Sequence, residues 1–251
     1  MTQTLKRTAS PLLQQAKRTR SKNAKMGAGV SSQPEAPVKE AETKQTSSST
    51  PFLDAIRARR SIYALNNTSP ISDEQIESIV KEAILHTPST FNTQSTRLVL
   101  LLHKDHETFW GLVKECLKPL TPPDKFPRTA TKMDNFAAAY GTILFYEDQD
   151  VVKKSEQDFA LYADRFQNWS EHTSAMHQLV LWTALEGEGF GANLQHYNPV
   201  VDESAAKEWD VPDNWSLKAQ IVFGGRIEGA APAEKQFKPV EDERLKVFGK
   251  Q

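Results

Sequence analysis

The stretch FLDAIRARRSIYAL, residues 52–65, opens the part of the chain that can fold. Thr50 followed by Pro51 is a helix start, with a hydroxyl at the cap and a proline where no N–H is needed. Phe52, Leu53 and Ile56 give this helix one apolar side, and it is expected to run to about Arg60. Arg59, Arg60 and Ser61 stand at its end. Adjacent guanidiniums and a hydroxyl can grip a phosphate, because Arg offers a planar fork of donors. On residue type alone the leading alternative is that Arg57, Arg59 and Arg60 only complement the negative end of the helix dipole.

Downstream, Ile71-Ser72-Asp73-Glu74-Gln75-Ile76 is a stronger helix start. Ser72 and Gln75 form a capping box, and Ile71 and Ile76 sit where a hydrophobic staple needs them. Ile76, Ile79, Val80, Ala83 and Ile84 recur at helical spacing until Pro88 restricts Thr87. Residues 97–103 hold an apolar run that suits a buried strand, and 105–117 reads as a helix with Phe109, Leu112, Val113 and Cys116 on one side. The proline-rich stretch 118–128 is expected to be a loop, 141–146 a strand, and 151–167 helical. Ser170 is expected to cap a longer helix that ends at Gly187-Glu188-Gly189. A strand at 192–197, a short helix at 204–209 and a strand at 216–223 ending at Gly224-Gly225 complete the reading. Helices and strands mix without regular βαβ alternation, which places the fold in the α+β class.

Upstream lies a different kind of sequence. Residues 1–26 carry Lys6, Arg7, Lys17, Arg18, Arg20, Lys22 and Lys25 and no acid, and 31–50 is rich in Ser, Thr, Pro, Gln, Glu and Lys. Without a hydrophobic period this part cannot offset the entropy of ordering, so 1–49 is read as a disordered tail and 50–251 as the folded domain. The tail fits an organelle (mitochondrial) transit peptide, a two-part nuclear import signal, a myristoylation signal if translation begins at Met26, or a solvated segment with no address.

The 251 residues are 38% hydrophobic and 25% charged with a net charge of -1, so no overall field draws in nucleic acid or acidic membranes. No apolar run is long enough for a membrane span. Cys116 is alone, which excludes an internal disulfide framework. It falls on the apolar side of its helix, where a core role outweighs a nucleophilic one. His103 with His106 is too small a set for a metal site, and His172 and His177 do not share a helix face. The G-x-S-x-G, P-loop and G-x-G-x-x-G patterns are absent.

Two further segments can carry chemistry. Pro88-Ser89-Thr90-Phe91-Asn92-Thr93-Gln94 offers donors and acceptors that could read a ring of alternating carbonyls and N–H groups, or it is an ordinary turn. Gly189-Phe190-Gly191-Ala192-Asn193-Leu194-Gln195-His196 could bring backbone N–H groups close to a ligand, or it is a helix stop followed by a strand.

In order along the chain, FLDAIRARRSIYAL (52–65), HTPSTFNTQ (86–94), WTALEGEGFGANLQHYN (182–198) and EKQFKPVEDERLKVFG (234–249) resemble the nitroreductase family, in particular its fungal fatty-acid-repression type and bacterial relatives. The resemblance covers about residues 51–250. It implies an α+β fold with a central, mostly antiparallel sheet flanked by helices, and a homodimer with FMN at its interface. Arg59 and Ser61 would hold the FMN phosphate or ribityl chain with Arg60 alongside. Ser89, Asn92 and Gln94 would meet the ring or ribityl from one side, Leu194, Gln195 and His196 would lie along the flavin, and Lys235 and Arg244 would add positive charge. The helix after Ser170 would be a dimer helix. The chain departs from the family where Tyr63 replaces a common Arg, and where Asn198-Pro199 replaces a Glu-Gly near flavin N5. Proline has no N–H, so the donor to N5 would come from His196 or Tyr197.

The activity so implied is an FMN-dependent oxidoreductase that passes electrons from NAD(P)H to a small-molecule acceptor, a nitroaromatic or quinone, in ping-pong fashion, with no side chain as nucleophile. Phe91 or Trp169 would bound the acceptor pocket. A role in oxidative-stress or lipid signalling and a cytoplasmic or nuclear location accompany this reading, with no nucleic-acid or membrane partner. The rival readings are a flavin-binding regulatory protein with little turnover and an interaction protein without cofactor.

Overall fold

The computed structural model describes residues 49–241 and 243–250. The expectations for the basic tail, including the import signals and the start at Met26, lie outside the described residues.

Five strands form one sheet in the order β1 (Leu65–Asn66), β5 (Trp215–Arg226), β3 (Gly141–Asp148), β2 (Thr96–Leu102), with β4 (Gly191–Gln195) also on β5. Every ladder is antiparallel, as expected for the α+β class. β3 is buried along its whole length, and its side chains alternate between two cores. Leu144 and Tyr146 face one core with Phe109, Trp110, Val113, Met133 and Val222. Ile143 and Phe145 face the other with Ile76, Val80, Leu181, Leu185, Ile221 and Phe223. The sheet is therefore the middle of three layers. Helices α3 (His103–Leu117), α4 (Phe126–Ala137) and α7 (Asp202–Trp209) cover one face. Helices α2 (Asp73–His86) and α6 (Phe166–Gly187) cover the other, and α1 (Ser49–Ala58) packs on α6.

The Ser72–Gln75 capping box forms, and α2 ends at His86 with Thr87 extended before Pro88. Elsewhere the chain corrects its own sequence reading. α4 begins inside the stretch expected to be a loop, because Pro127 occupies the first turn, where its missing N–H costs nothing. The helix expected over 151–167 breaks: α5 (Gln149–Asp158) is followed by a 3-10 segment, Ala160–Arg165. α6 starts at Phe166, so Ser170 is an interior residue whose hydroxyl donates to Gln167 O rather than a cap. Gly224 and Gly225 continue β5 instead of ending it. A Cβ at Gly224 would lie 2.4 Å from Asn66 O, so the glycine is what lets β1 approach.

His106 is completely buried, with Nε2–H donating to Phe136 O (2.9 Å) and Nδ1 accepting from the Thr142 hydroxyl (2.8 Å). Desolvation pulls it down to about 4, against weaker upward pulls from Phe136 O and Glu107. A histidine depressed in the folded state takes up its proton more readily when unfolded. Its stabilisation is complete above its unfolded value and is lost as pH falls from about 6.5 to about 4. The expected loss is about 3 kcal/mol over that window. Urea unfolding at pH 7 and pH 4.5 should show it, and His106→Gln should flatten the dependence; an equally steep fall in the variant would remove His106 as its cause.

Candidate flavin site

The residues expected to form one site fall into two groups. The first gathers where α1 ends. Beyond Ala58 the chain turns onto the edge of β4: Ser61 bridges Ala192 in parallel, Ile62 N–H donates to Ala192 O (2.9 Å), and Asn193 Nδ2 donates to Ile62 O (2.9 Å). This places Arg59, Arg60 and Ser61 beside the strand that continues into Leu194, Gln195 and His196. Arg59, Arg60, Ser61 and Lys235 line a cleft of about 660 Å³, roofed by residues 230–237. That is the size range of small-molecule and cofactor sites.

The donors are arranged around an acid the sequence reading missed. Glu186 Oε2 accepts from Arg60 N–H (2.7 Å), and its Oε1 lies 3.2 Å from Arg226. Arg59 stacks on the Trp182 ring with its guanidinium carbon 4.4 Å from the centroid, and Trp182 Nε1–H donates to Arg60 O (3.3 Å). Arg60 donates to Ala233 O and Lys235 to Arg57 O, which ties the 230–237 segment across the end of α1. Neither the Arg59 guanidinium nor the Ser61 hydroxyl has a hydrogen-bond partner among the described residues. An Arg fork and a free hydroxyl are a donor set for phosphate. The residue types of EGEG gave no hint that Glu186 would turn back toward Arg60, because that contact spans the fold.

On β4, Gln195 is buried and its amide donates to Asn193 Oδ1 (2.8 Å), Leu194 is half-buried, and His196 is exposed. Of the two residues expected to offer a donor to N5, Tyr197 has its N–H committed to Gln220 Oε1 (2.8 Å) and His196 is exposed. Arg244 is exposed on the C-terminal segment and does not line the cleft.

Ser89, Asn92 and Gln94 form the second group, and they do not line the cleft either. Their loop is wound tightly: Phe91, Asn92 and Gln94 have φ of 51°, 55° and 52°. Left-handed backbone costs a residue with a Cβ roughly 1–2 kcal/mol. The loop endures because it is held from several sides. Gln94 N–H donates to Ser89 Oγ (3.0 Å), and Arg97 donates to Gln94 O (2.8 Å). The Phe91 ring stacks on Phe159 at 4.4 Å and packs near Tyr162, Phe166 and Trp169. Phe91 itself remains 53% exposed.

α6 measures the gap between the groups. The loop packs at Phe166 and Trp169, and the cleft at Trp182 and Glu186. At 1.5 Å per residue, Trp169 and Trp182 are about 20 Å apart along the helix. Between them α6 exposes Met176, Leu179 and Val180. Among the described residues no group of His, Cys, Asp and Glu could hold a metal ion, and no helix is long and apolar enough to cross a membrane.

Comparison with known proteins identifies the family. The family model described as "Nitroreductase family" matches residues 56–225. Nitroreductase FRM2 of Saccharomyces cerevisiae is 35% identical over 188 residues, 74% of this chain and 92% of that protein. HBN1 of the same yeast is 37% identical over an equal span. Among solved structures, nitroreductase CinD from Lactococcus lactis, in complex with nicotinic acid, superposes with a TM-score of 0.72 and 41% identity, covering 78% of this chain and all of CinD. With the family model spanning most of the folded part and two yeast relatives above 30% identity, this chain belongs to the nitroreductase family of flavin-dependent oxidoreductases.

Proposed function

We propose that residues 50–251 are an FMN-binding domain and that the protein works as a homodimer, taking electrons from NADH or NADPH and passing them to flat acceptors such as nitroaromatics and quinones. The observation that carries this reading is the cleft at the start of β4, whose Arg59 and Ser61 donors have no partner among the described residues. There Arg59 and Ser61 would hold the phosphate, Lys235 and Arg60 would keep the covering segment in place, and Leu194 to His196 would run along the ring system. When bound, FMN supplies two-electron redox chemistry; the protein supplies binding, orientation and electrostatics.

The rise of about 20 Å along α6 between Trp169, beside one group, and Trp182, beside the other, supports a composite site. A two-fold axis crossing α6 near Met176 would set Trp169 of one copy beside Trp182 of the other. Ser89, Asn92 and Gln94 of one chain would then face the cleft of its partner, over an interface made by the exposed apolar stripe of α6.

CinD has been crystallised with 4-nitrophenol and with chloramphenicol, both nitroaromatics, which supports the choice of acceptor class. Phe91 offers such a molecule an aromatic face already fixed by the rings beneath it. Phe91→Leu is expected to raise KM for a nitroaromatic about two- to tenfold with kcat little changed, the range for losing one aromatic stack. An unchanged KM would remove Phe91 from the acceptor pocket.

Initial rates with NADH or NADPH against varied 4-nitrophenol test the whole reading. Donor and acceptor that use one pocket in turn give parallel double-reciprocal lines. Intersecting lines would contradict the alternation. An FMN-loaded protein without turnover would favour a flavin-binding regulator.

A further inference from the structure

Glu147 sits at the end of β3 with no exposed surface, directly across the ladder from Thr96. Its two carboxylate oxygens accept from Ser95 Oγ (2.5 Å) and Thr96 Oγ1 (2.6 Å), both buried. Among the described residues it has no cation within ion-pair distance. Lys218 of β5 and Glu171 of α6, the charges that act on it, are paired with each other at 2.6 Å, and the imidazole of His177 from α6 lies 3.4 Å from Thr96 Oγ1. Burial pushes the carboxyl above its ordinary value, and the two hydroxyls pull it back. A buried position at a strand end gains no stability from such a group, since an apolar residue of similar volume would avoid the desolvation cost.

What distinguishes the position is what it grips. Ser95 and Thr96 follow directly on Gln94, the last left-handed residue of the loop. The neighbouring Asp148 adds to the same hold: its N–H donates to Ser95 O (2.9 Å), and its carboxylate pairs at 2.9 Å with Arg97, whose other nitrogen donates to Gln94 O. Sparsely populated backbone persists only where its surroundings over-determine it. At its N-terminal side the loop has its own Ser89–Gln94 bond and the Phe91 stack. At its C-terminal side the hold is the pair of acids on β3.

We propose that Glu147 is a positioning residue: its buried carboxylate, held by the Ser95 and Thr96 hydroxyls, fixes segment 91–94 in the shape that presents Asn92 and Gln94 to the flavin. The flavin half of this statement rests on the reading given above; the loop half does not. A carboxylate only accepts hydrogen bonds, so both hydroxyls can donate to it at once. Glu147→Gln turns one of its two acceptor positions into a donor and undoes half of the grip at nearly constant volume.

Hydrogen exchange of the amides of the loop (89–95), β2 and β3 in the flavin-free protein, FMN titration by fluorescence, and urea unfolding are to be measured together at pH 7. The variants are Glu147→Gln, Glu147→Ala and the pair Ser95→Ala/Thr96→Val, which removes the grip from the other side. The proposal expects exchange in the loop to rise at least tenfold in all three and FMN Kd to rise about tenfold. The unfolding midpoint of Glu147→Gln should be unchanged or higher, since a buried charge has gone. Loop exchange at the wild-type rate in the variants overturns the proposal. So does a lowered midpoint for Glu147→Gln with faster exchange spread over β2 and β3, because the acid would then merely support the sheet. A wild-type protein that takes up no FMN would sink the functional reading instead, while the exchange data still decide the loop.

Discussion

Arg59→Ala combined with Ser61→Ala is expected to yield a protein that folds but does not retain FMN. Each side chain would give the phosphate a charge-assisted hydrogen bond, and bonds to charged groups contribute roughly 1.5–3 kcal/mol each. Losing both raises Kd by at least about a hundredfold. Stability should barely move. Ser61 is exposed, and Arg59 contributes to the fold through its stack on Trp182, a contact worth about 0.5–1 kcal/mol at a partly exposed site. Flavin fluorescence titration reads the first effect and urea unfolding the second. Stoichiometric FMN in the double variant would mean that the phosphate lies elsewhere, and the cleft beside β4 would lose its role.

Met176→Asp combined with Leu179→Asp is expected to have a comparable effect from a distance. Neither residue lines the cleft, and both are on the exposed side of α6, 38% and 44% accessible. Carboxylates there place four like charges around the proposed two-fold axis and remove the apolar area that association needs. Sedimentation should show monomers, and most of the flavin should be lost, because Ser89, Asn92 and Gln94 would no longer reach a cleft. A monomer that keeps its FMN would show that one chain suffices. A dimer that survives the change would place the interface on another face.

The sequence makes the elements legible where the local chemistry is decisive. The capping box at Ser72 and Gln75, the period of Ile76, Val80 and Ala83, and the apolar runs of β2 and β3 needed nothing beyond the chain's own neighbours. It misled where a residue has two uses. Pro127 can close a loop or open a helix, and it opens α4. Gly224 and Gly225 can end a strand or admit a neighbouring backbone, and they admit β1. Ser170 can cap a helix or donate to the preceding turn, and it does the second.

The site divides in the same way. Arg59, Arg60 and Ser61 were readable as residue types and Lys235 only through the family resemblance, and the four meet in one cleft. Glu186, Trp182 and Asn193 were not, since their partners lie more than a hundred residues away along the chain and only the fold brings them together. The grip of Glu147 on Ser95 and Thr96 depends on the register of β2 against β3, which no local pattern encodes. The separation of Ser89, Asn92 and Gln94 from the cleft is set by the length of α6 and became visible only in three dimensions.

The measurement that bears most directly on the central claim is the visible absorption spectrum of the protein purified without added flavin, followed by release of the chromophore and its identification by mass. A yellow protein carrying about one FMN per chain is the result predicted here. A colourless protein that also takes up no FMN on titration would contradict it.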